Sequence, residues 1–531
     1  MVFAGLTHRA IVLVLAIAVS SAADARTFRL ASQGDASTMD PHAENELVTN
    51  AIDNLVYDLL IRYDEKLNLA PALATSWKST GTRTWIVDLR KGVKWQDGGD
   101  FTADDVVFSM ERAKQSGSTF KLFSNQAGVA RKIDDYTVEF ATPVPNPILP
   151  ITLTNLMIVS KRWCEKNNAL RPQDFMNKEE TYSSRNAMGT GPYRLVSYEA
   201  GVKTLLVKNP DWWGIKEGLY TGNVDAIEYR PITNSATRMA ALRSGELDMV
   251  LDPALQDVPQ LRRDPGLRIW EGGEFRVVMI GMDQWRDELL YSNVKGKNPF
   301  KDRRVRLAMY QAVDIEAMKS QVMRGLSIPT GVPLQSPRGA GIPDSMEKRF
   351  AFDPPAARAL LAQAGYPKGF GFTLHCPNDR YANDEKICIA LAGMWAKVGL
   401  DVKVETMPKS QYFQKAQKLD VSAYMIGWGG ANQDALITLK AVMHSRNVQG
   451  AGDSNFGNFR NAELDDVIDA ADQEMDAAKR QQYINRAVAI LQDEVLILPL
   501  HRQVIPWATR AGVKVVHRAN NVVLPYTVKM P

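Results

Sequence analysis

The chain has 531 residues, 45% of them hydrophobic and 23% charged, with a formal net charge of +4. That length exceeds what one hydrophobic core supports, so two or three domains are expected, and the ordinary balance of apolar and charged residues excludes wholesale disorder and fibrous classes. The mild charge, with no dense Lys/Arg run, argues against nucleic acid as a partner.

In chain order, the first 25 residues read as an export signal. Arg9 supplies the positive start, Ala10–Val19 is an apolar stretch of 10 residues, and Ala23-Asp24-Ala25 has the small-x-small form of a cleavage site. The stretch is short of the roughly 20 apolar residues a membrane span needs. The expected mature protein begins after Ala25 and is periplasmic. With no cysteine beside the cleavage point, it is not a lipoprotein. Phe28–Ala31 reads as a strand, followed by the polar loop "QGDASTMDPHAENE" and helical spacing over Leu47–Leu60. Thr84–Leu89 alternates as a strand does. Thr102 is an N-cap candidate with Asp105 in the capping-box position, and Tyr136–Phe140 is a further strand. Tyr193–Tyr198 and Thr204–Lys208 follow as strands, then the helix Asn234–Ser244 and the strand opening in "GELDMVLD".

A second regime begins after Gly273. Phe275–Met282 reads as a strand, and "DPPAARALLAQAGYPKG" as a helix with prolines at its start and a glycine stop. The strand "GFTLHCP", a periodic helix from about Asn383, and a strand–helix–strand run over Val402–Gly427 give βαβαβ alternation. Such alternation predicts a mixed or parallel sheet with ligand loops at its strand ends. Two helices and a strand, ending near His501, complete this half.

Cys376 and Cys388 stand 12 apart, on a strand end and the next helix; a bridge and two free thiols both fit that placement. Cys164 reads as a lone buried thiol. No cysteine or histidine spacing reads as a metal site. A secreted hydrolase is the competing functional class, but the sequence has neither G-x-S-x-G nor H-E-x-x-H. The neighbouring acids Asp104-Asp105 and Asp465-Asp466 lie on expected helices, where adjacent side chains point different ways. No enzymatic activity and no cofactor are expected.

Several ordered stretches carry a resemblance: "STMDPHAENE", "LRKGVKWQDGGDFTADDVVFSMERA", "GTGPYRLVSYEAG" with "NPDWWG", "NPFKDRRVRLAMYQAVD", "NDRYANDEKICIALAGMWAKVGL" and the Gly427-Trp428 segment. Over nearly the whole mature chain the sequence resembles the extracytoplasmic solute-binding proteins of ABC importers, peptide/nickel class (family 5). The resemblance implies an α/β, two-lobed periplasmic-binding-protein fold (type II, flytrap) with an additional small α+β domain. It implies a first lobe of residues 26–70, 185–272 and 501–531, an extra domain of 71–184, and a second lobe of 273–500, with crossovers near Gly273 and His501. It implies a monomer that captures a peptide or peptide-like solute and delivers it to a membrane permease; a metal chelate or a glutathione- or opine-like solute is the alternative.

For the site, "MIGWGGANQDA" places Trp428 among glycines that leave little side chain to cover it, so its face is expected to pack on the solute. Peptide binders of the family commonly carry an acid three residues after this Trp; here that position is Ala431, and Asp434 is the remaining acid. A buried ammonium needs a counter-charge, so either Asp434 or another acid must supply it, or the solute has no free amine there. Asn432 offers an amide. Arg380, in a strand-to-helix loop, and Arg276, a charge within an apolar strand, are expected to face the cleft and grip a carboxylate, while Tyr381 beside Arg380 offers a ring face and a hydroxyl. Met39 and Glu44, with Asp40 and His42, are expected on the ligand-facing loop of the first lobe. Trp95, Asp97, Trp212 and Trp213 read as fold elements.

Overall fold

The computed structural model describes residues 26–336, 339–429, 433–448 and 450–531. The expected signal segment and two residues of the tryptophan loop, Ala431 and Asn432, lie outside the described residues.

One eleven-stranded mixed sheet runs through the molecule. Its order is Asp401–Met407, Gly371–Pro377, Ala423–Gly429, Leu267–Met282, Leu498–Arg510, Met249–Leu251, Thr27–Ser32, Ala226–Pro231, Lys203–Lys208, Tyr193–Glu199, with Ser327–Pro329 added beside Leu498–Arg510. The two long central strands, 16 and 13 residues, belong to both halves. They pair antiparallel in two stretches, Leu267–Gly273 against Arg510–Val504 and Val277–Ile280 against Arg502–Leu498, with a register shift between. In the gap Phe275 N turns away and donates to Ala519 O. Glu274 and Arg276 therefore stand where the ladder is interrupted and the chain passes from one half to the other.

On one side, Thr27–Ser32 is flanked in parallel by Ala226–Pro231 and Met249–Leu251. On the other, Gly371–Pro377 is parallel to both of its neighbours and buried at all seven positions, which is why it reads as an unbroken apolar run. Helices Asp384–Ala396 and Lys409–Gln417 cross back over it.

A separate antiparallel sheet of four strands, Ala74–Ser79, Thr84–Leu89, Thr137–Ala141 and Val129–Asp134, packs with helix Ala103–Lys114. Thr102 and Asp105 form the expected capping box at that helix start. This unit has its own core, including Val87, Trp95, Phe101, Met110 and Phe140, into which Trp212 and Trp213 are packed. Trp95 donates to Asp105 at 3.2 Å and Trp213 to Asp58 at 2.7 Å, so both indoles hold the fold.

The loop after the first strand is fastened to that unit by a buried ion pair. Arg112 donates to both oxygens of Asp40, at 2.9 and 2.7 Å, with each side chain about 1% exposed or less. Asp40 also accepts from Gln173 N and Ser183 Oγ, while Arg112 donates to the Ala169 and Arg171 carbonyls. His42 sits beside the guanidinium at 3.2 Å. Asp40 and His42 thus turn inward as a structural joint, not outward to the cleft: a short polar loop must place its charges somewhere, and here a buried arginine awaits them.

Candidate functional site

The interruption in the central ladder brings one polar surface together. Arg276 pairs across the strands with Gly429, and Val277 with Trp428. Because alternate residues of a strand share a face, Glu274 and Arg276 lie side by side. Arg276 Nε donates to both Glu274 oxygens at 3.2 Å, and the two side chains are 15% and 9% exposed. Gln503, from the other long strand, donates to Glu274 at 3.0 Å and accepts from Ala382 N at 3.2 Å. That second bond ties the crossover to the loop carrying Arg380 and Tyr381.

The loop is built by one carboxylate. Asp384 accepts from Arg380 N at 2.9 Å and Tyr381 N at 3.0 Å through one oxygen, and from Glu385 N at 3.0 Å through the other. Asn383 adopts the left-handed conformation, φ 56°, and starts the helix. The loop's two flanks are joined by a disulfide between Cys376 and Cys388, whereas Cys164 is free and buried. Tyr381 is only 6% exposed; its ring lies on Gly427 and its hydroxyl donates to Gly427 O at 3.2 Å. Arg380 lies over the Tyr381 ring at 5.4 Å and forms no ion pair among the described residues. Crowding by protein and by the Arg276 guanidinium pulls its pKa below the ordinary value. Two neighbouring guanidinium groups, only one of them neutralised, make a seat for an anion.

Trp428 is half-buried and packs against the second half's core. Its indole N–H is buried and has no hydrogen-bond partner among the described residues. The flanking glycines have a different purpose from leaving the indole bare. A Cβ on Gly427 would meet the Tyr381 ring at 2.4 Å, and one on Gly429 would meet Phe275 O at 2.1 Å. They admit a ring and a neighbouring backbone.

The remaining expected residues separate. Asp434 caps the next helix through Leu436 N at 2.9 Å and pairs with Arg480 at 2.9 Å, its side chain 8% exposed. Beside it Gln433 donates to Leu67 O at 3.2 Å, a direct contact between the two halves. Met39 is fully buried in the first half's core. Glu44 is half-buried, and burial together with Glu46 raises its carboxyl above the usual range. Glu46, which caps helix Leu47–Val56, acts electrostatically on Arg380 from the opposite side.

The sequence reading missed three members of this surface: Glu274, Gln503 and Asp252. Asp252 follows the short strand Met249–Leu251 in a left-handed conformation, φ 52°. It accepts from Asn521 at 3.2 Å, and surrounding protein with the nearby Glu274 pushes its carboxyl up to about 6. Its signal was available, since an acid directly after an apolar parallel strand stands where such sheets carry ligand loops. For Glu274 the signal was the i, i+2 spacing with Arg276.

With this geometry in view, similarity to known proteins can be read. The profile described as "Bacterial extracellular solute-binding proteins, family 5 Middle" matches residues 68–450. The chain belongs to this family. It is 26% identical over 529 residues to the dipeptide-binding protein of Escherichia coli K12, covering 94% of each chain. It is 27% identical over 480 residues to heme-binding protein A of Haemophilus influenzae, covering 86% of this chain and 83% of that one. Among solved structures it matches the ABC transporter-associated periplasmic binding protein DppA from Helicobacter pylori in complex with peptide STSA, with TM-score 0.74, 24% identity and coverage of 95% and 98%. The fold is therefore the two-lobed α/β architecture with an added α+β unit, and the family is one of solute binding. The polar surface just described lies where its two lobes meet.

Proposed function

We propose that this chain captures a short peptide or peptide-like, amino-acid-derived solute between its lobes, without turnover, and hands it to the membrane permease of an ABC importer. It does so in the periplasm, as a monomer without a cofactor. The lobes proposed are a first of residues 26–70, 185–272 and 501–531, an extra domain of 71–184 and a second of 273–500; the cores cross these bounds, with Leu60, Met188, Trp212 and Trp213 in the extra domain's core and Met157, Val159 and Cys164 in the first lobe's. The observation that carries the reading is the pair Arg276 and Arg380 at the crossover, one guanidinium held by Glu274 and the other without an ion pair among the described residues. A carboxylate seated there would complete both. Trp428, with its unpartnered N–H, would meet the solute's side chain or carbonyl, and Tyr381 would back it. Glu44 would contribute at the rim and Asn432 an amide, while Asp434, held by Arg480, and Met39, in the core, would act only by supporting their loops.

Thermal shift with a short-peptide panel tests this. A solute binding only the folded state at 100 times its Kd stabilises by about 2.7 kcal/mol. Peptides with a free carboxylate should raise Tm and emerge uncleaved. Cleavage, or no shift with any member, would overturn the reading.

A further inference from the structure

The lobe junction carries a second charge without an ion pair, of opposite sign: Asp252, exposed directly after the strand Met249–Leu251. Arg276 and Glu274 neutralise each other. Arg238, the cation nearest Asp252, directs its guanidinium to the carbonyls of Ile232, Thr233 and Asp252 itself, and not to the carboxylate. The hydrogen bonds to the Asp252 carboxylate come from the neutral amide of Asn521, at 3.2 and 3.5 Å, and it has no ion pair among the described residues. Glu274 lies close enough to act on it as a like charge, so the first lobe presents an acidic end while Arg380 presents a basic one.

The sheet sets their separation. Leu251, directly before Asp252, pairs with Trp507. Gln503, on the same strand, holds Ala382 N beside Arg380. Asp252, one step on, lies level with Pro506, so three residues at about 3.3 Å each put the two ends about 10 Å apart along the strand. A single amino acid, with its charges on one carbon, cannot bridge that. An extended chain advancing about 3.3–3.6 Å per residue does so with two or three residues once both side chains reach inward.

Building on the peptide reading of this cleft, we propose that Asp252 is the counter-charge for the solute's ammonium group, so that the site selects zwitterions of di- to tripeptide length, amine toward the first lobe and carboxylate toward Arg276 and Arg380. This supplies the acid that Ala431 does not.

The test is calorimetric titration of wild type and Asp252→Asn with tri-alanine, N-acetyl-tri-alanine and tri-alanine amide. Asn tolerates the left-handed backbone, and an unchanged apo Tm verifies the fold. Acetylation should weaken binding to wild type about 10- to 100-fold, the range of a charged hydrogen bond, and leave Asp252→Asn affected less than about 2-fold by the same criterion. Amidation should weaken both proteins alike. An acetylation penalty equal in both proteins, or absent in wild type while amidation still weakens binding, overturns the role of Asp252 and leaves the arginine seat standing. If wild type binds none of the three, both readings fall.

Discussion

Two arginine clusters in this protein differ in one respect that separates architecture from function. At Arg112 every strong partner is present: both Asp40 oxygens and two carbonyls surround a guanidinium with no exposure to speak of. At Arg380 the guanidinium is exposed and has an aromatic ring and a like-charged neighbour, with Glu274 and Glu46 acting from beyond ion-pair distance and no ion pair among the described residues. Burying a charge is tolerable only when it is paired and hydrogen-bonded. The first cluster meets that demand within the chain and joins the extra domain to the first lobe. The second is exposed at the surface, so its charge stays solvated and open to a solute carboxylate.

The contrast can be broken by mutation. Arg112→Ala leaves Asp40 buried without its partner and should lower folding stability by about 3–5 kcal/mol, read by urea denaturation, with solute affinity retained well below the transition. A loss below about 1 kcal/mol would contradict the joint. Trp428→Ala should lower both quantities if the indole, which packs on the core, also meets the solute as proposed: stability by about 2 kcal/mol or more, and the ligand-induced shift altogether. Retention of the full shift would assign Trp428 to the core alone. Arg380→Ala should do the reverse of Arg112→Ala. Its stability should change by less than about 0.5 kcal/mol, while affinity for a free-carboxylate peptide falls about 10-fold or more.

The smallest expected effect is a pH slope. His501, on a crossover strand, is fully buried with neither ring nitrogen bonded among the described residues, and burial lowers its pKa to about 4. Its folded pKa lies below the ordinary value near 6.5, so the unfolded chain takes up the proton first as pH falls. Wild type should therefore lose about 1 kcal/mol relative to His501→Leu between pH 7 and 5.5. A stability difference that does not move with pH would show that the imidazole is solvated.

Elements set by local pattern were legible in the sequence: the Thr102–Asp105 cap, the buried parallel strand Gly371–Pro377, and the helices at Pro354–Gln363 and Asp384–Ala396. The long strand was expected from Phe275 but begins at Leu267. Its glycines, Gly272 and Gly273, suggested a break, yet pairing with Ile505 and Val504 carries the ladder through them. The site was legible as a set of charges, not as their partners. Arg276 stood out because a charge is unusual in an apolar strand, and Arg380 because it lies in a strand-to-helix loop. Glu274's hold on Arg276 was readable in their i, i+2 spacing, whereas the approach of Arg380 and Asp252 to that pair depends on segments distant in sequence coming together. Met39 shows the reverse limit, since its loop position suggested the cleft and tertiary packing put it in the core.

The most direct measurement is a crystal structure of the protein with tri-alanine. The account predicts the peptide between the lobes with its carboxylate about 2.7–2.9 Å from the Arg276 or Arg380 guanidinium. A peptide bound with its carboxylate away from both arginines, or a cleft left empty at saturating peptide, would contradict it.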